Sequence, residues 1–205
     1  MIKYKPWAKG IGIAGFALGC VSIGIWWADK QFFQPSPTEQ LLIRSVRGDV
    51  MPGLKGRDAT DEESRELAVL FQNFRKLDRK VKNLPNGIVT LTTARNEALR
   101  DVLISHVVGM IDRVEEGRDP EIRIQSPTLD HFFVDNHLIN TEIEVTDDGI
   151  LVRQTSDDPY MVETLQEHAA EVTDMVDRCM LAVQHLMAER LNQSSNNPTT
   201  ERSEP

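Results

Sequence analysis

Cysteine is nearly absent from this chain. Only two of 205 residues carry a thiol. Cys20 lies within an apolar run and Cys179 on a predicted helix, so no intrachain disulfide is expected, and a domain of this size needs none. Cys179 also lacks the basic surroundings of a reactive thiolate, Arg178 apart. Phosphate-cradling glycine loops, paired zinc-ligand motifs and the dinucleotide fingerprint are missing. No Gly-x-Ser-x-Gly elbow surrounds Thr155-Ser156 to make a nucleophile of it. Asp147-Asp148 and Asp157-Asp158 have no EF-hand spacing, and turn and cap duty accounts for all four. Positive charge is scarce too: 23 basic side chains face 32 acidic ones. Residues 31–205 keep 19 of the former and 31 of the latter, a net charge of −12. No basic patch remains to track phosphates, which argues against nucleic acid as a partner.

The one long apolar run stands at the amino terminus. Lys3, Lys5 and Lys9 precede an uncharged stretch from Gly10 to Trp27, closed by Asp29 and Lys30. At about 1.5 Å per residue it spans about 27 Å, enough for a bilayer core. Trp7, Trp26 and Trp27 flank it as interfacial aromatics do, and the leading lysines favour a cytoplasmic amino terminus. Residues 1–30 are read as a single transmembrane anchor or signal segment, with the remainder on the periplasmic side of a bacterial inner membrane. The alternatives are a cleaved signal peptide and a lipoprotein signal, since Ala17-Leu18-Gly19-Cys20 loosely resembles a lipobox. Gly15 and Gly19 form a small-x-x-x-small pair, compatible with helix pairing and a homodimer.

What the chain does have is an internal echo at a spacing of 62 residues. Gly87-Ile88 aligns with Gly149-Ile150, Thr93 with Thr155, Leu103 with Leu165, His106 with His168, Asp112 with Asp174 and Val114 with Val176. Seven of thirty ungapped positions from Gly87 to Glu116 are identical. Such self-similarity points to one supersecondary unit used twice.

The expected organisation follows. Residues 31–60, punctuated by Pro35, Pro37, Gly48, Pro52, Gly53 and Gly56, read as a linker. Residues 61–191 hold the duplicated domain, with repeats at about 61–119 and 125–191, and 192–205 read as a disordered tail. In the first unit Leu67, Leu70, Phe71, Phe74 and Leu77 recur at helical spacing. Strands around 80–84 and 88–93 flank Pro85-Asn86-Gly87, a hairpin signal, and a long helix covers about 97–116. In the second, Leu129, Phe132, Phe133 and His137 predict a short helix. Strands over 142–146 and 150–155 and a helix running to about Leu191 follow, with Asp158 as cap and Pro159 in the first turn. The fold class is α+β: two tandem α-β-β-α repeats sharing one core, with a four-stranded antiparallel sheet covered by helices on one face.

The echo places a histidine at the same point of each long helix's apolar stripe. Facing imidazoles between the repeats could hold a metal ion or haem, with Met110 one turn from His106 and His137 as a further donor. A thioether with imidazoles suits copper or haem iron. His131 and His185 are weaker candidates. The alternative is that these histidines are satisfied core residues and Met110 fills space.

Residues Thr155-Ser156-Asp157-Asp158-Pro159 and Leu165-Gln166-Glu167-His168-Ala169, with Pro85-Asn86-Gly87 and His106-Val107-Val108-Gly109-Met110, carry a resemblance. Over roughly residues 66–180 the chain resembles an uncharacterised family of exported bacterial envelope proteins with a doubled "NGV…TSDDP…H" pattern. The resemblance implies a bacterial source and an exported location, and no activity. The first unit departs from it: Ala94-Arg95-Asn96-Glu97 replaces the Ser-Asp-Asp-Pro cap, and Phe74 stands where the pattern shows histidine. The function expected is that of a membrane-anchored, non-enzymatic envelope protein that binds a metal or haem between its repeats. The alternative is a structural or protein-interaction module without a cofactor.

Overall fold

A computed structural model describes residues 52–196. The anchor segment 1–30, most of the linker and the last nine residues lie outside the described residues. Among the described residues no helix is long and apolar enough to cross a membrane.

Helix α1 (Asp61–Gln72) begins at a reciprocal cap. The Thr60 hydroxyl accepts from the Glu63 amide, and the Glu63 carboxylate accepts from the Thr60 amide. Two of the helix's orphan donors are satisfied in this way. After a 3-10 turn at Phe74–Lys76, β1 (Leu77–Leu84) and β2 (Gly87–Ala94) form the first hairpin. Helix α2 (Glu97–Glu115) follows. The short helix α3 (Pro127–Val134) opens the second half, which continues through β3 (Asn140–Val145), β4 (Gly149–Thr155) and α4 (Pro159–Arg178). Helix α5 (Met180–Asn196) ends the described chain. The expected mixed α+β architecture with a four-stranded antiparallel sheet is present, in the order β1-β2-β4-β3.

The hairpin registers coincide at the 62-residue offset. Asp78 faces Thr93 in one hairpin and Asn140 faces Thr155 in the other. Where the hairpins join, Thr90 pairs with Val152, its own counterpart at that offset. Gly87 and Gly149 sit in matching places: a Cβ on either would lie 2.0 Å from a backbone oxygen, of Gln154 and of Thr92 respectively. Gly87 also has φ +149°, a region that L side chains rarely adopt. The helix caps match as well. Asn96 accepts from the Leu99 amide and Asp158 from the Met161 amide, so Asn96 does in the first unit what the missing Asp-Pro cap does in the second.

One long helix covers the other half's hairpin, and the other bridges the join between the hairpins. α2 packs on β4 and β2, and α4 on β1 and β2. One cluster of buried side chains joins Val69, Leu99, Val102 and Leu103 to Ile143, Ile150 and Val152. A second joins Phe132, Phe133, Met161, Leu165 and Ala169 to Ile88. The single shared core expected from the sequence is therefore two clusters, with a cavity between them.

Several boundaries differ from the sequence reading. The final helix breaks at Cys179, whose φ of +53° cannot continue an α-helix. Helix α5 then runs to Asn196, into the segment read as tail. The end of the expected linker belongs to the domain. Leu54 is fully buried, Gly56 bridges to Ile122, and Asp58 accepts from Arg113. Apolar burial and a buried cation outweigh the local turn chemistry there.

Candidate functional site

The cavity has a volume of about 290 Å3. Its floor is the inward face of the sheet, where alternation points Leu77, Arg79, Ile88, Thr90, Thr92, Ile150, Val152 and Gln154 the same way. Leu103, His106, Met110 and Val114 of α2 form one wall. His168, Val172, Met175 and Val176 of α4 form the opposite one. Leu67, Leu70 and Phe71 of α1 and the segment Ile122–Leu129 contribute to its sides.

The structure brings His106, Met110 and His168 to this cavity. It leaves the fourth expected donor outside. His137 is exposed on a 3-10 turn, Asn136–Leu138, beyond the end of α3, and does not line the cavity. The expected short helix ends at Val134, because Asp135 leaves helical geometry. Among the described residues no group of three or more His, Cys, Asp or Glu side chains could hold a metal ion. His131 is exposed and meets Tyr160, ring nitrogen to hydroxyl at 3.1 Å, and His185 lies on α5 away from the cavity lining. Asp147-Asp148 and Asp157-Asp158 stand at opposite ends of β4 and do not converge.

The two cavity histidines have different surroundings. His106 Nδ1 is enclosed and bonds no described residue. Burial drives its pKa down to about 4, with only partial opposition from the Glu63 charge, so the ring is neutral at pH 7. His168 stacks edge-on against Phe132, with ring centroids 4.9 Å apart. Its Nδ1 stands 3.5 Å from Glu171 Oε2 without making a hydrogen bond. Glu171 accepts from the Ser126 hydroxyl at 2.6 Å and the Thr128 hydroxyl at 2.8 Å. Burial raises the Glu171 pKa, but contact with His168 and these two hydroxyls outweighs it and the net shift is downward. Ser126 donates to the carboxylate directly, so Ser126, His168 and Glu171 lack the serine-to-imidazole bond of a nucleophilic triad.

Sequence reasoning passed over Arg79. Its Nη1 donates to Thr92 Oγ1 at 2.7 Å, while Nε is enclosed without a partner. Part of the residue reaches solvent, yet burial is enough to pull the guanidinium down to about 10. The available signal was alternation: Leu77, Arg79 and Val81 share one strand face, and a charge on an inward face is informative. Starting the strand at Lys80 hid it.

Compared with protein-family models, curated proteins and solved structures, the chain matches none.

Proposed function

We propose that this protein is a non-enzymatic binding module of the bacterial envelope, built from a doubled α-β-β-α unit, which holds a small, mainly apolar ligand between its halves. The observation that carries the reading is the cavity itself. Its walls are largely apolar, and three enclosed polar atoms in its lining, Arg79 Nε, His106 Nδ1 and His168 Nδ1, make no hydrogen bond to a described residue. Native cores seldom leave such groups unpaired, and a cavity near 300 Å3 is at the small end of ligand sites. Doubling is supported by the matched registers, caps and glycines at the 62-residue offset. The envelope location and the membrane anchor rest on the lysine-flanked apolar run and on the family resemblance.

A second reading has its own observation. His106, Met110 and His168 line one cavity, a donor set suited to copper or haem iron. One experiment separates the two: native mass spectrometry and an absorption spectrum of the full chain, purified in detergent without chelator. The apolar-ligand reading expects a small organic molecule, retained or taken up on addition, and displaced in Met110→Trp, which fills the cavity. Stoichiometric metal or a Soret band, lost in His106→Ala and His168→Ala, would transfer the site to the second reading. A chain that takes up neither organic ligand nor metal overturns both.

A further inference from the structure

We infer that the cavity ligand is a monocarboxylate with an apolar tail, its carboxylate received by Arg79 on β1. This rests on the ligand-binding reading above and names the chemistry of the bound molecule. Among the described residues that line the cavity, Arg79 is the only one permanently charged, and no carboxylate is present. Its nearest protein partner is an uncharged hydroxyl, Thr92 Oγ1, on Nη1. The Nε side of the guanidinium is left unbonded and enclosed. A half-buried cation whose enclosed edge has no counter-ion carries a desolvation cost, and an arriving anion offsets it.

The arginine stands in one half only. At the 62-residue offset the counterpart of Arg79 is Thr141 and that of Thr92 is Gln154. These two also meet, Gln154 Nε2 to Thr141 Oγ1 at 3.5 Å, at the long limit of a hydrogen bond. Arg79 on β1 and Gln154 on β4 both line the cavity, so its β1 side is cationic and its β4 side neutral, which favours one ligand orientation. The remaining lining, largely Leu, Ile, Val, Phe and Met, suits a hydrocarbon tail. One planar fork matches a carboxylate. A phosphate dianion would need a second cation, and the enclosed, neutral His106 does not supply one.

The test is titration calorimetry of the full chain at fixed detergent concentration. The probes are octanoate, octan-1-ol, octylamine and octyl phosphate, and Met110→Trp serves as the blank for partitioning. Octanoate is expected to bind at least about tenfold more tightly than octan-1-ol, the scale of a charge-assisted hydrogen bond. Arg79→Met should abolish that preference and leave octan-1-ol unaffected, with folding checked by circular dichroism. Arg79→Lys should retain part of it. Should Arg79→Met fail to fold, the four-probe ranking in the unaltered protein decides alone. Equal binding of octanoate and octan-1-ol overturns the carboxylate assignment while the cavity reading stands. A preference for octyl phosphate or octylamine also overturns it. If none of the four binds, both readings fall.

Discussion

Two titratable side chains contribute to the acid sensitivity of this domain over different pH windows. Arg113 is almost fully buried and donates to both oxygens of Glu63 and to Asp58. Burial pushes the Glu63 carboxyl upward, but the guanidinium and the Thr60 contacts prevail and bring it down to about 2. A depressed carboxylate contributes stability above its unfolded pKa of 4.5, lost as pH falls toward 2. Glu63→Gln should therefore flatten the stability profile in that window. It should also cost ~3 kcal/mol at pH 7 by leaving a buried cation under-compensated. His106 acts higher on the scale. Its folded pKa of about 4 lies below the ordinary 6.5, so the unfolded chain binds the proton first and stability declines as pH falls from 6.5 to 4. His106→Leu should abolish that decline and add ~1–2 kcal/mol by removing an unpaired buried nitrogen. Urea titrations at pH 7, 5 and 3 check both. A His106→Leu profile that still falls between pH 6.5 and 4 would place the responsible group elsewhere.

The elements themselves were legible where local chemistry decides them. Asp158 with Pro159 and the Pro85-Asn86-Gly87 turn each carry their signal within four residues, and each appears as read. What escaped depends on contacts distant in sequence. The packing of residues 52–60 rests on Arg113, 55 residues beyond Asp58. The placement of α2 on β4 and β2, and of α4 over the first hairpin, depends on how β2 and β4 meet, which periodicity does not specify. The break at Cys179 was hidden because the helical pattern continues on both sides and no glycine or proline marks it. That break carries strain, since φ +53° with ψ −122° is glycine territory. Cys179→Gly should raise stability by ~1 kcal/mol, offset in part by loss of the thiol's contact with the Phe71 carbonyl. Gly149→Ala should do the reverse, costing upward of ~2 kcal/mol as β4 is forced from the Thr92 carbonyl 2.0 Å from the added carbon. Equal thermal midpoints for Gly149→Ala and the parent would mean that β2 and β4 lie farther apart than described.

At the scale of the whole molecule, helix packing across the β2–β4 join makes the halves inseparable. The first hairpin carries Leu77, Arg79, Ile88, Thr90 and Thr92 on its inward face, and α4 of the second half packs over it. A polypeptide of residues 52–126 keeps α1, β1, β2 and α2 but loses α4 and the β4 edge that pairs with β2. A hairpin covered only where α2 meets β2 is marginal at best, and the two buried clusters each draw on both halves. That fragment is expected to be unfolded as a monomer. Its one route to a covered sheet is a second copy of itself, because Thr90 lies where β2 would pair with another β2 in the same antiparallel sense as with β4. Any folded form should then be a dimer whose helical signal grows with concentration. Circular dichroism and sedimentation across a hundredfold dilution series read this directly, and a fragment that stays folded and monomeric throughout would show that the halves are independent domains.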